Sequence, residues 1–198
     1  MAEDPRIARS RALIMAAAHD QFVRHGYVGA NVDVIAEAAG VAKRTVYNIY
    51  GDKETLFRAV VDEAIGIAER FSRDLGDRIA ADGLEDVAAE LVRAVLGPRV
   101  LPLRRMLIGE SARFPELARA YYDRAPGLVM RTFAAYLSTR TDLAVDDTAL
   151  AAEHLAFLVL GAPLDQALFD AAAVPTDLDA RARAGVAVFL RAYAVARG

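Results

Sequence analysis

The chain has 198 residues, 55% hydrophobic and 26% charged, which is long enough to bury a sizeable core and too apolar for a disordered segment. It holds no cysteine, excluding a disulfide framework, a thiolate metal site and a cysteine nucleophile. Its net charge of −3 argues against a polyanionic partner until the distribution is read: residues 1–58 carry 8 Lys+Arg against 7 Asp+Glu, residues 59–198 carry 16 against 20, and both lysines, Lys43 and Lys53, lie in the first part.

Helical periodicity is nearly continuous, and no sustained period-2 alternation points to strands. The first helix is expected over about Arg6–His25, with Ile7, Ile14, Ala17, Ala18 and Phe22 on one face and Gly26 at the C′ position. Asn31 suits the N-cap of a short second helix, VDVIAEAA, with Asp33 in its first turn and Gly40 at its end. A third short helix follows, closed by Gly51-Asp52, and Lys53 opens a fourth that holds its pattern to about Leu75. Further helical segments are read at about 84–96, 100–112, 115–124, 127–140, 146–170 and 177–197, with Pro98, Pro102, Pro115, Pro126 and Pro175 at starts or bends. The expected fold is all-α.

The opening MAEDPRIARSR lacks the apolar core of a secretory signal. The longest apolar candidate, HLAFLVLGAPL from His154, is interrupted by Gly161 and Pro163 and falls short of the roughly 18 residues a membrane span needs. The expectation is a soluble, cytoplasmic protein with no membrane partner.

The third helix carries the information. At 100° per residue, Ala42, Val46 and Ile49 of GVAKRTVYNIYGDKETLF fall on one side, Lys43, Arg44, Tyr47 and Asn48 on the other, with Thr45 on the flank. Two short helices joined by a tight turn after a longer one read as a helix-turn-helix, over about 31–50. In that motif the second helix enters the major groove. Arginine can then bond guanine O6/N7 bidentately, lysine can reach guanine or phosphate, and asparagine can read adenine. Threonine and tyrosine suit a thymine methyl and phosphate oxygens. The competing reading is a solvated polar face on a short amphipathic helix.

From Arg9 to Phe57 the chain resembles the DNA-binding region of the TetR/AcrR family of bacterial regulators. The resemblance rests on Ala18, Phe22, Gly26 and Tyr27 in A-x-x-x-F-x-x-x-G-Y, on the IAEAAGVAKRTVY core and on the closing DKETLF. It implies that the helix from Lys43 to Ile49 reads the groove, Arg44, Thr45 and Asn48 approaching bases with Lys43 at the edge. Tyr47 matches a phosphate-contacting tyrosine, and Lys53 matches a lysine that holds the DNA backbone. Asn31, standing where threonine is common, completes the DNA-binding set. Ala42 replaces a frequent serine, removing a hydroxyl contact or cap.

The resemblance also implies an N-terminal three-helix DNA-binding domain over 6–58 and a larger helical effector-binding and dimerisation domain over 59–198. The last two long helices would pack against their mates in a homodimer, setting two recognition helices about 34 Å apart on one DNA duplex. Leu150, His154, Phe157, Leu158 and Gly161 form one stripe at helical spacing, and Val186, Phe189, Leu190 and Tyr193 a second; the competing reading is core within one chain. A pocket for a small, largely apolar effector is expected from Met106, Glu110, Phe114, Tyr121, Tyr122, Met130, Phe133, Tyr136 and Phe157, residues that could individually be core. Glu110 and His154 stand out, since a polar group on an apolar stripe needs a partner.

No HExxH, Walker loop, GxSxG or GxGxxG occurs, and His19 and His25 point about 240° apart on a helix. No enzyme, catalytic residue, metal site or cofactor is expected. The favoured function is a homodimeric repressor that binds a palindromic operator and is released by its effector. A transcriptional activator, or a helical interaction module of the same fold that binds no DNA, is the alternative.

Overall fold

Gly26 sits where the spacing asks for a chain reversal, and its backbone, at φ 65° and ψ −177°, breaks the first helix there. A side chain with a Cβ pays steric strain in that left-handed region, whereas glycine does not. The computed structural model describes residues 5–73 and 75–195. Within them lie eleven α-helices and one short 3-10 turn at Ala171–Ala173. The chain is all-α, and the one strand-like contact among the described residues is an isolated bridge between Leu143 and Ala194.

Two compact units divide the chain. The first runs to Ile65 and takes in Pro102–Tyr121; the second comprises Gly66–Leu101 and the residues from Tyr122 onward. The sequence reading placed one boundary at 58/59. The extra segment, seated by Leu103, Met106, Leu107, Phe114 and Leu117, all buried, has no sequence adjacency to the motif that would announce it.

In the first unit, α1 (Pro5–Gly29) buries Ile14, Ala18 and Phe22. Helix α2 (Val32–Ala38) is capped by Asn31, whose side-chain oxygen accepts the Asp33 N–H at 2.8 Å. It ends in a glycine-terminated turn: Val41 N–H donates to the Ala36 carbonyl and Gly40, at φ 66°, to that of Glu37. Helix α3 (Lys43–Tyr50) and α4 (Lys53–Arg73) follow, the latter belonging to this unit up to Ile65 and capped by Asp52, which accepts the Thr55 N–H at 2.7 Å. Those hydrogen bonds, the Thr55 amide first, hold the Asp52 carboxyl below its usual range. Helix α7 (Leu101–Glu110) and most of α8 (Pro115–Arg124) complete the unit. Four rings meet in its core: Phe57 lies edge-on to Phe22 at 5.0 Å and to Tyr27 at 5.2 Å, and Phe114 packs on Tyr27 at 4.7 Å and Phe57 at 5.1 Å between centroids. The F-x-x-x-G-Y and DKETLF pieces are therefore two sides of one aromatic cluster.

The second unit holds α5 (Leu75–Asp82), α6 (Leu84–Val95), α9 (Pro126–Leu137), α10 (Thr148–Phe169) and α11 (Leu178–Tyr193). Helix α5 falls in a stretch the periodicity left unassigned, because only Leu75 and Ile79 of its eight residues are buried. The last helix ends at Tyr193; residues 196–197 of the expected 177–197 lie outside the described residues. Helix α6 packs on α11, and α10 on α9 and α11, around Val87, Leu91, Phe133, Leu155, Val186 and Phe189.

Helix α10 passes through Gly161 and Pro163 with a kink at Gly161 rather than stopping. It is the one helix among the described residues that is long and apolar enough to cross a membrane by length and composition alone. Glu153, His154 and Asp165 interrupt its apolar surface.

Gly185 of α11 is buried against α10 so closely that a Cβ built on it would collide with the Leu158 carbonyl oxygen. Two backbones cannot yield as a side chain can. Gly185→Ala is therefore expected to destabilise this unit by about 2 kcal/mol, lowering Tm by roughly 4–8 °C in a thermal melt.

Candidate nucleic-acid interface

Helix α3 is short, and its two faces are chemically opposed. Val46 and Tyr50 are buried and Ile49 is half-buried, which anchors the helix in the first unit. Ala42 does not join them: it lies exposed at the N-cap with no side-chain hydrogen bond, since a residue still outside the helix does not follow its 100° rotation. Thr45 lies half-buried on the flank. Lys43, Arg44, Tyr47 and Asn48 all face solvent, Tyr47 at 39% exposure.

Among the described residues, no hydrogen bond or ion pair engages the Arg44 guanidinium, the Asn48 amide or the Tyr47 hydroxyl. Lys43 differs. Its ammonium reaches the Asp33 carboxylate of α2 at 2.9 Å, and that hydrogen bond raises its pKa. Its pairing with DNA would require exchange of one anion for another. Asn31 uses its oxygen to cap α2, leaving its amide N–H groups exposed at the motif's edge.

Lys53 opens α4 half-buried. Its Nζ donates to the Val28 carbonyl at 3.2 Å and stands 5.0 Å over the Tyr27 ring. Burial lowers its pKa, while the charge of Glu110 acts in the opposite direction. The ammonium is thus held at one place rather than swinging on a free four-carbon stem.

The residues expected to line an effector pocket are divided between the two units. In the first, Met106 and Tyr121 are buried, Phe114 belongs to the aromatic cluster, and Glu110 accepts the Tyr27 N–H at 2.8 Å. Burial raises the Tyr121 pKa, with Arg104 opposing. In the second, Phe133 is buried, Met130 and Tyr136 are half-buried, and Tyr122 and Phe157 are exposed. Glu110 and Phe114 therefore have partners in their own unit that account for them. His154 likewise finds one, the Tyr193 hydroxyl at 2.6 Å.

Residues 14–60 match the bacterial regulatory proteins of the tetR family, and residues 82–195 match the C-terminal domain of AefR-like transcriptional repressors. A TetR-family transcriptional regulator from Mesorhizobium loti is 32% identical and superposes with a TM-score of 0.78, over 97% of this chain and 100% of that one. The chain belongs to the TetR family. Another structural relative, the flavonoid-responsive regulator FrrA, is 27% identical with a TM-score of 0.69, over 96% of this chain and 100% of its own. The HTH-type transcriptional repressor SCO4008 of Streptomyces coelicolor is 40% identical over 62 residues, 31% of each chain. The match thus spans about a third of that curated relative's length.

Two contacts of this candidate interface are not revealed by sequence spacing alone. Asp33 and Lys43 lie ten residues apart and meet only because the turn at Gly40 folds α2 against α3. Glu110 lies 83 residues from the amide it binds. The signal for the second was present in part, as an acidic residue closing a helix that also carries Leu103, Met106, Leu107 and Ile108.

Proposed function

We propose that the protein is a homodimeric transcriptional repressor that binds a palindromic operator through the major groove. The observation that carries this reading is the outward face of α3, where the Arg44, Asn48 and Tyr47 donors stand exposed with no hydrogen bond or ion pair among the described residues. Arg44 and Asn48 read base edges, Thr45 contacts a thymine methyl or phosphate, and Lys43, Tyr47, Asn31 and Lys53 hold the DNA backbone. Binding of the purified protein to its own upstream promoter DNA, with a scrambled duplex as competitor, tests it. A shift that survives excess scrambled DNA supports the reading; a dimer that shows no sequence preference refutes it.

Lys53→Ala is expected to weaken binding to promoter and scrambled DNA alike. The slope of log K against log salt should become shallower by about 0.9 for each protomer's lost phosphate contact.

Dimerisation through α10 and α11 is supported by α10, where Leu150 is 47% exposed, Phe157 72% and Leu158 42%. An apolar stripe of this kind is covered in an assembly. In α11, Val186 and Phe189 are buried within the chain's own unit, and Val188 supplies the outward apolar contact. We assign DNA binding to 6–58 and effector binding and dimerisation to 59–198, a reading supported by separate family matches over 14–60 and 82–195. A small, largely apolar effector is supported by the flavonoid-responsive relative. A repressor of this kind acts in the cytoplasm.

A further inference from the structure

Glu110 is the last residue of α7, where its carboxylate meets the negative end of the helix macrodipole. The position is unfavourable for the helix unless contacts elsewhere offset it. Arg113 offsets it only in part, at 3.6 Å and largely exposed, whereas the Glu110 side chain is turned inward at 16% exposure.

The inward contacts form one connected series. Glu110 Oε1 accepts the Tyr27 N–H at 2.8 Å. Gly26 permits that approach: a Cβ at Gly26 would stand 2.8 Å from the same oxygen. The amide bound by Glu110 fixes the Tyr27–Val28 segment, whose ring and carbonyl are the two contacts of the Lys53 ammonium, at 5.0 Å and 3.2 Å. The Tyr27 ring is wedged meanwhile between Phe57 and Phe114.

We infer that Glu110 is a positioning residue for DNA binding: by gripping the Tyr27 amide it sets the seat on which Lys53 is presented to a phosphate. This rests on the proposed repressor reading, in which Lys53 holds the DNA backbone. The role belongs to the acceptor oxygen rather than to the negative charge. Glu110 itself stays away from DNA and from the bases read by α3.

The test uses the full chain and two duplexes, its upstream promoter DNA and a scrambled sequence, titrated by anisotropy over a range of potassium chloride. Glu110→Ala removes the acceptor. Glu110→Asp keeps the charge but is one methylene short, and serves if the alanine variant fails to fold. Glu110→Gln keeps a carbonyl oxygen and loses the charge. Alanine and aspartate variants are expected to weaken both duplexes to the same degree and to lose about 0.9 per protomer from the salt slope, as Lys53→Ala does. The glutamine variant is expected to retain the wild-type slope. Combining Glu110→Ala or Glu110→Asp with Lys53→Ala should add nothing further to the slope, because both act on one contact.

Hydrogen exchange gives a readout without DNA. The Tyr27 amide should lose protection in the alanine and aspartate variants and keep it in the glutamine variant. A wild-type slope in Glu110→Asp, with wild-type sequence preference intact, overturns the inference alone. So does a slope loss that adds to that of Lys53→Ala. A wild-type protein without sequence preference overturns the repressor reading, and this inference with it.

Discussion

Replacing Arg44 by alanine is expected to cut the preference for promoter over scrambled DNA, while binding to scrambled DNA changes far less. A bidentate arginine–guanine pair supplies about 1–3 kcal/mol of discrimination, a factor of roughly 5–150, and a two-fold operator counts it in each half-site. The structure gives the reason for choosing Arg44. It stands on the exposed face of α3, no group in the described residues competes for its guanidinium, and Val46 and Tyr50 anchor the helix on the opposite side. Lys43→Ala should have the weaker effect on preference, because its ammonium is paired with Asp33 before DNA arrives. Competition titrations with the two duplexes measure both. Equal losses on promoter and scrambled DNA in Arg44→Ala would remove it from base reading.

Phe157→Asp should separate the dimer. Phe157 is 72% exposed on α10, so the monomer fold gains little from the ring and loses little without it. In a two-fold interface the same ring is buried twice, and each burial contributes roughly 1.5–3 kcal/mol. Losing both, and leaving two carboxylates facing apolar surface, is expected to weaken association by about a thousandfold or more. Sedimentation at micromolar concentration would show monomer with an unchanged helical spectrum. Operator binding should fall with it, since a single recognition helix reaches one half-site. A variant that remains dimeric at wild-type strength would place the interface elsewhere on the chain.

The legible and illegible parts of the sequence divide along a physical line. Local rules located the break at Gly26, Asn31 as the cap of α2 and the turn at Gly40, because each is decided within a few residues. The 3.6-residue period also separated the two faces of α3 correctly, apart from Ala42. What a period cannot say is what covers a face. Phe157 and Phe189 both stand on helical stripes, yet one is 72% exposed and the other fully buried. Nor does a period show that long-range folding carries Glu110 and Phe114, expected in a pocket, into contact with Tyr27. The helix expected over 146–170 runs through Gly161 and Pro163 as α10, with a kink at Gly161 that the period does not show.

Selection of bound sequences from a random duplex library by the purified dimer most directly tests whether the open face of α3 reads DNA. Enrichment of one inverted repeat is expected, with half-site centres about one helical turn apart, and its defining base pairs should be lost when selection is repeated with Arg44→Ala. Recovery of no shared sequence by an intact dimer, or of the same repeat by the alanine variant, would contradict it.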